Sequence, residues 1–112
     1  MTEAQLLQAV RDLARLLGFL TYHTHRSDRS EPGFLDLVLI HPRIGRLAIA
    51  ELKTEKGRVT PAQHVWIAAF RTAGVDAYIW RPSDLRSGLI YRALSGQPRR
   101  PTAEAPSPLV PR

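Results

Sequence analysis

Three ionisable residues stand where apolar strands should hold none. Asp36 interrupts the apolar run 34–40, and Glu51 and Lys53 close the run 47–52 with one residue between them. On a strand, residues two apart point to the same face, so Glu51 and Lys53 share a side. A carboxylate inside an apolar run is costly unless it is paired or bound to metal. Two carboxylates held close together can bind a hard divalent cation through oxygen and leave positions open for water or phosphate. Such an ion stabilises charge developing on a phosphodiester, and an adjacent lysine can position water or stabilise the transition state. The plain alternative is a strand-end aspartate and a solvated Glu51–Lys53 pair.

The elements that must position these residues follow from the local pattern. The two runs are joined by a short connection containing His41, Pro42 and Gly45, which predicts a β-hairpin. Before it, residues 2–17 place Leu6, Leu7, Val10, Leu13, Ala14, Leu16 and Leu17 at helical spacing, with Thr2 as N-cap and Gly18 as stop. A short strand over 19–24 and a polar loop over 25–33 lead into the hairpin. After a turn over 54–58, Thr60 as cap and Pro61 at the first helical position predict a helix to about Ala73, burying Val65, Ala68, Ala69 and Trp66. A fourth strand is expected over 75–80, then a turn and one last helix over 84–94. The order is α-β-β-β-α-β-α, an α/β three-layer sandwich on a mixed four-stranded sheet.

At 112 residues with 44% apolar content the chain suits one globular domain, placed here at residues 1–95. From residue 96 the composition turns to Pro, Arg, Ser and Ala without apolar periodicity, which predicts a flexible tail. The final Leu109-Val110-Pro111-Arg112 has the look of a protease-cleaved tag remnant. The net charge is +6 and the pI near 10.8. Residues 97–112 hold three arginines against one glutamate, a net of +2, which leaves +4 to the rest. A basic balance favours a polyanionic partner. Of 16 basic residues 14 are arginine, which suits phosphate contacts but equally reflects a GC-rich genome. There are no cysteines, so thiolate chemistry and disulfides are excluded, and any metal must be held by oxygen or imidazole. The absence of a signal-like or bilayer-length segment leads us to expect a cytoplasmic protein.

Over residues 3–94 the chain resembles the PD-(D/E)xK nuclease superfamily and, within it, the small phage-type VRR-NUC domains. The resemblance is carried by a helix with Glu3, by Gly33-Phe34-Leu35-Asp36-Leu37, by Glu51-Leu52-Lys53, and by the helix start from Lys56 to Gln63. It implies a restriction-endonuclease-like core and a metal-dependent endonuclease hydrolysing duplex or branched DNA with Mg2+ or Mn2+, in a bacterial or phage-infected cell. Asp36 and Glu51 would be metal ligands, helped by the Leu52 carbonyl and Glu3. Lys53 would be the catalytic lysine, with Gln63 beside the site. Leu35 stands where the family usually has proline. That departure is the one hint of the alternative, a non-catalytic DNA-binding or assembly module.

Further residues invite a substrate role. His25, Arg26, Arg29, Lys56 and Arg58 are expected to face DNA, with His23 more simply a hydrogen-bonding side chain. Trp66, Phe70, Tyr78 and Trp80 could stack on bases but read more simply as core or interface aromatics. An apparent surplus of large apolar residues, centred on 79–91, leads us to expect a homodimer, and an accessory replication or packaging protein is a further possible partner.

Overall fold

The computed structural model describes residues 1–25 and 31–96. Helix α1 (Glu3–Leu16) opens with a capping box, in which the Thr2 hydroxyl accepts the Gln5 N–H and the Gln5 amide oxygen accepts the Thr2 N–H. It buries Leu6, Val10 and Ala14, whereas Leu16 is turned to solvent. Strands β1 (Leu20–His23), β2 (Leu37–His41) and β3 (Arg46–Leu52) form an antiparallel meander, and β4 (Asp76–Trp80) joins parallel to β3 after helix α2 (Pro61–Thr72). The sheet order is the chain order, β1-β2-β3-β4.

Alternation along the strands separates two cores. Leu37, Leu39, Ala48, Ala50, Leu52 and Trp80 face α1 and the C-terminal helices, while Ile49 and Ala77 face α2 together with Leu35 and Ile67. The predicted three-layer α/β arrangement on a mixed sheet is therefore the observed one, and it is closed by α3 (Pro82–Arg86) and α4 (Leu89–Ser95).

Four local expectations need correction. The first hairpin strand begins at Leu37, because Phe34 and Leu35 leave the ladder to pack against α2. The last helix is two short ones, because Gly88 at φ +83° takes a left-handed conformation between them. On α2, Val65 is 68% exposed and Ala68 and Ala69 are also outside. The inward face is Gln63, Trp66, Ile67 and Phe70, a helical stripe whose polar first member disguises it. Finally, the apolar surplus at 79–91 is largely consumed by the monomer's own core: Trp80 and Ile90 are buried and Ile79 and Leu85 half-buried, leaving Leu89 and Tyr91 outside.

The aromatic residues likewise serve packing. Tyr78 and Trp80 stack at 4.8 Å within the first core, and Trp66 contacts Phe34 and Phe70 in the second. On the same side of the sheet as α2, Leu20, Ile40 and Leu47 pair across three strands and stay exposed. No described helix is long and apolar enough to cross a membrane.

Candidate active site

The open end of the β2–β3 hairpin carries the ionisable residues. The antiparallel register pairs Leu37 with Ala50, and one step beyond that pair lie Asp36 and Glu51. Asp36 sits on the last bend before β2, and its two polar ends are used differently. Its backbone carbonyl accepts the Thr24 N–H at 2.9 Å and so continues the pairing with β1, while its side-chain Oδ2 accepts the Leu52 N–H at 2.9 Å. A carboxylate thus takes the place of a backbone partner at the end of the ladder, which fixes its position against β3. The preceding residue is anchored as well. Leu35 is fully buried under α2 and its carbonyl accepts the Thr24 hydroxyl at 2.9 Å.

Glu51 is 2% exposed and lies on the α2 side of the sheet. Its Oε2 receives the Gln63 Nε2–H at 2.7 Å and pairs with Lys53 Nζ at 3.3 Å. Its Oε1 is buried and accepts no hydrogen bond from the described residues. Burial and then the neighbouring Asp36 push the Glu51 carboxyl up to about 7, with Lys53 opposing them. A buried oxygen that lacks a donor, on a carboxylate crowded by a second one, is a site built for positive charge. Both donors are hard oxygens, so the arrangement fits a divalent cation of the Mg2+ class.

A cavity of about 630 Å³ opens over these groups, lined among others by Glu3, His23, His25, Glu31, Phe34, Asp36, Glu51, Leu52, Lys53 and Gln63. The sequence-derived set therefore converges: Asp36, Glu51, Lys53 and Gln63 are in mutual contact or one residue removed from it, and Glu3, His23 and His25 form the walls. Glu3 does not close on the carboxylates. Among the described residues, no three acidic or histidine side chains gather tightly enough to hold one metal ion. Lys56 and Arg58 lie exposed on the turn after Lys53, outside the cavity lining. Arg26 and Arg29 fall outside the described residues.

Sequence reasoning missed the arginines that brace this architecture. Arg46, 5% exposed, pairs with Asp76 at 3.3 Å and donates to the Tyr78 hydroxyl and the Ala93 carbonyl, tying β3 to β4 and α4. Arg81 donates to carbonyls of the turn after β3. The only signal in the chain was an arginine at each strand end, which is ordinary on a surface.

Known proteins resemble this chain over the region that holds the cavity. The family model described as VRR-NUC domain matches residues 3–84, a span that contains every residue of the cavity. The chain is 33% identical over 66 residues to the Fanconi-associated nuclease 1 homolog of Caenorhabditis elegans, a match covering 59% of this chain and only 7% of that protein. A solved structure described as a VRR_NUC domain superposes with TM-score 0.66 at 25% identity, covering 81% of this chain and 97% of its own. A second, described as a VRR_NUC domain protein, gives TM-score 0.62 at 19% identity over 84% and 90% of the two chains.

Proposed function

The chain belongs to the VRR-NUC domain family, and from that premise we propose that it is a divalent-metal-dependent endonuclease that hydrolyses phosphodiester bonds in duplex or branched DNA. The observation that carries the proposal is Glu51, a buried carboxylate with one free oxygen, a second carboxylate beside it and a lysine on its other oxygen.

Asp36 and Glu51 are the side chains that would hold Mg2+ or Mn2+, with the Leu52 carbonyl as a further oxygen donor, while Glu3 stands back at the cavity wall. When bound, such an ion supplies Lewis-acid stabilisation of the phosphoryl oxygens and lowers the pKa of water. The chain's own groups do the rest. Gln63 holds Glu51 by a hydrogen bond and keeps its other oxygen turned away from that bond. Lys53, only 12% exposed on its side chain, pairs with Glu51 and is poised to steady charge that gathers on a phosphate oxygen. The positive balance of the chain favours encounter with a polyanion.

The alternative of a non-catalytic module gains nothing from Leu35, whose side chain serves the core under α2 and whose carbonyl is held by Thr24.

The test is incubation of supercoiled plasmid and a four-way junction with the protein and Mg2+ or Mn2+, beside a chelated control and Lys53→Ala. Cleavage that needs the ion and disappears in Lys53→Ala, while calorimetry still detects Mn2+ binding, is the expected result. No cleavage of either substrate with either ion overturns the proposal, and wild-type turnover by Lys53→Ala removes the role given to the lysine.

A further inference from the structure

Arg81 is the first residue after β4, and its guanidinium reaches back to the turn that follows β3. Its Nη1 donates to the carbonyls of Thr54 at 2.7 Å, Gly57 at 2.8 Å and Glu55 at 3.2 Å. Three carbonyl oxygens converge on one guanidinium nitrogen and share its two N–H bonds, so Arg81 gathers the turn from the neighbouring strand. The same turn is fastened again at its acidic residue, where the Glu55 carboxylate accepts the Ser83 N–H at 2.5 Å and lies 3.7 Å from Arg86.

This turn touches the candidate catalytic lysine in two ways. Lys53 is the residue just before it, and its N–H donates to the carbonyl of Trp80, the residue just before Arg81, at 2.9 Å. Gly57 then comes back beside the lysine stem, where a Cβ built on it would meet Lys53 Cδ at an ordinary van der Waals distance of 3.5 Å. A long flexible side chain loses considerable rotamer entropy when it is held in one place. An anchored turn beside the stem narrows the positions open to the ammonium, which stands 3.3 Å from Glu51.

We propose that Arg81 is a positioning residue for Lys53, acting through the carbonyls of the 54–57 turn. Its consequence for turnover rests on the nuclease reading above, whereas its consequence for the placement of Lys53 does not. An arginine in a basic protein has a competing role as a direct phosphate contact. The two roles part cleanly, since a phosphate contact governs DNA affinity and its salt dependence, and a positioning residue governs the chemical step.

The chain has two lysines, Lys53 and Lys56, so acylation by a neutral amine reagent, mapped by mass spectrometry, reads one against the other. In the wild-type protein Lys53 should react far more slowly than the exposed Lys56. Arg81→Ala should raise the Lys53 rate severalfold and leave Lys56 unchanged. In cleavage assays the same variant should lose on the order of 10- to 100-fold in kcat, the range expected when a reacting group is displaced by about an ångström, with KM, salt slope and Mn2+ affinity unchanged. Arg81→Lys, which keeps the charge and donors on a single nitrogen but on a stem one bond shorter, should fall between wild type and Arg81→Ala. It carries the same readouts if Arg81→Ala does not fold. An unchanged Lys53 acylation rate overturns the proposal, and a raised KM with flattened salt slope and intact kcat assigns Arg81 to phosphate instead. If the wild-type protein cleaves nothing with either ion, the nuclease reading fails, and the acylation rates still decide the placement of Lys53.

Discussion

The side-chain amide of Gln63 joins the start of helix α2 to Glu51. Its Oε1 accepts the Thr60 N–H at 2.9 Å and its Nε2 donates to Glu51 Oε2 at 2.7 Å. The same side chain that completes the capping box therefore sets the rotamer of the buried carboxylate, and the two partners leave only one orientation of the amide that satisfies both.

Gln63→Glu separates the two duties. A carboxylate can still accept from Thr60 N–H, but it turns an acceptor toward Glu51 in place of a donor. We expect a loss of about 1–3 kcal/mol in the metal-free protein, from the unpaired acceptor and the added repulsion, and a fall in metal-dependent turnover. Urea denaturation with and without Mn2+ measures the first, and unchanged stability would show that the amide bond to Glu51 contributes nothing.

The raised Glu51 pKa makes the metal-free protein sensitive to alkali. Its carboxyl titrates near 7 in the fold against 4.5 in the free side chain, so the folded state binds this proton more tightly. The stability it contributes is whole below about pH 4.5 and is lost as pH rises through 7. Glu51→Gln removes that dependence. The variant should match wild type near pH 4.5 and exceed it by roughly 2–3 kcal/mol at pH 8, and added Mn2+ should stabilise only the wild type. Paired denaturation curves at the two pH values check this, and a gap of equal size at both would mean that Glu51 ionises normally.

Two substitutions at Asp36 should differ although both remove a metal ligand. Asp36→Asn keeps an oxygen for the Leu52 N–H and relieves the crowding of Glu51, so it should fold at least as well as wild type. Asp36→Ala leaves that amide without its partner and should be about 1–2 kcal/mol less stable than the Asn variant. Calorimetric titration with Mn2+ should show weakened binding in both. Equal stability of the pair would deny the Asp36–Leu52 hydrogen bond its structural part.

Gly33 closes the wall of the cavity by direct backbone contact. It has φ +84°, and a Cβ placed on it would lie 2.5 Å from the Ala62 carbonyl carbon at the start of α2. Gly33→Ala combines a strained backbone with a clash against main chain that cannot rotate away, so a loss of about 2 kcal/mol or more is expected. Trp66, whose Nε1 donates to the Pro32 carbonyl at 3.1 Å, reports on the same segment by fluorescence. An unshifted Trp66 emission with wild-type stability would mean that the 32–34 segment yields without cost.

What could be read from the sequence was local in origin. Thr2 and Thr60 announce their helices because a cap is satisfied within three residues, and Asp36, Glu51 and Lys53 stand out because each offends the apolar pattern of a strand. Their convergence needed only the hairpin register. The inward face of α2 was misread because its first inward residue is a glutamine with a carboxylate to bind, and polarity counted against it. The roles of Arg46 and Arg81 were illegible for another reason, since their partners lie tens of residues away and exist only once β3 and β4 are side by side. The apolar surplus over 79–91 had the same origin: Trp80 and Ile90 find their cover in α1 and in each other's elements.

The strand order has a kinetic consequence. Every hydrogen-bonded pair of strands is also consecutive in the chain, and Asp36, Glu51, Lys53 and Gln63 come from the start of β2, the end of β3 and the first turn of α2, each within a residue of its element. The groups proposed to do the chemistry are thus assembled by short loop closures. Loop-closure entropy must be met before contacts reward it, and contacts near in sequence form soonest. The cavity walls contributed by α1 and the braces contributed by Arg46 and Arg81 join segments further apart. The order of events written into the topology is a hairpin that brings its two carboxylates face to face first, and an arginine scaffold that closes around them afterwards.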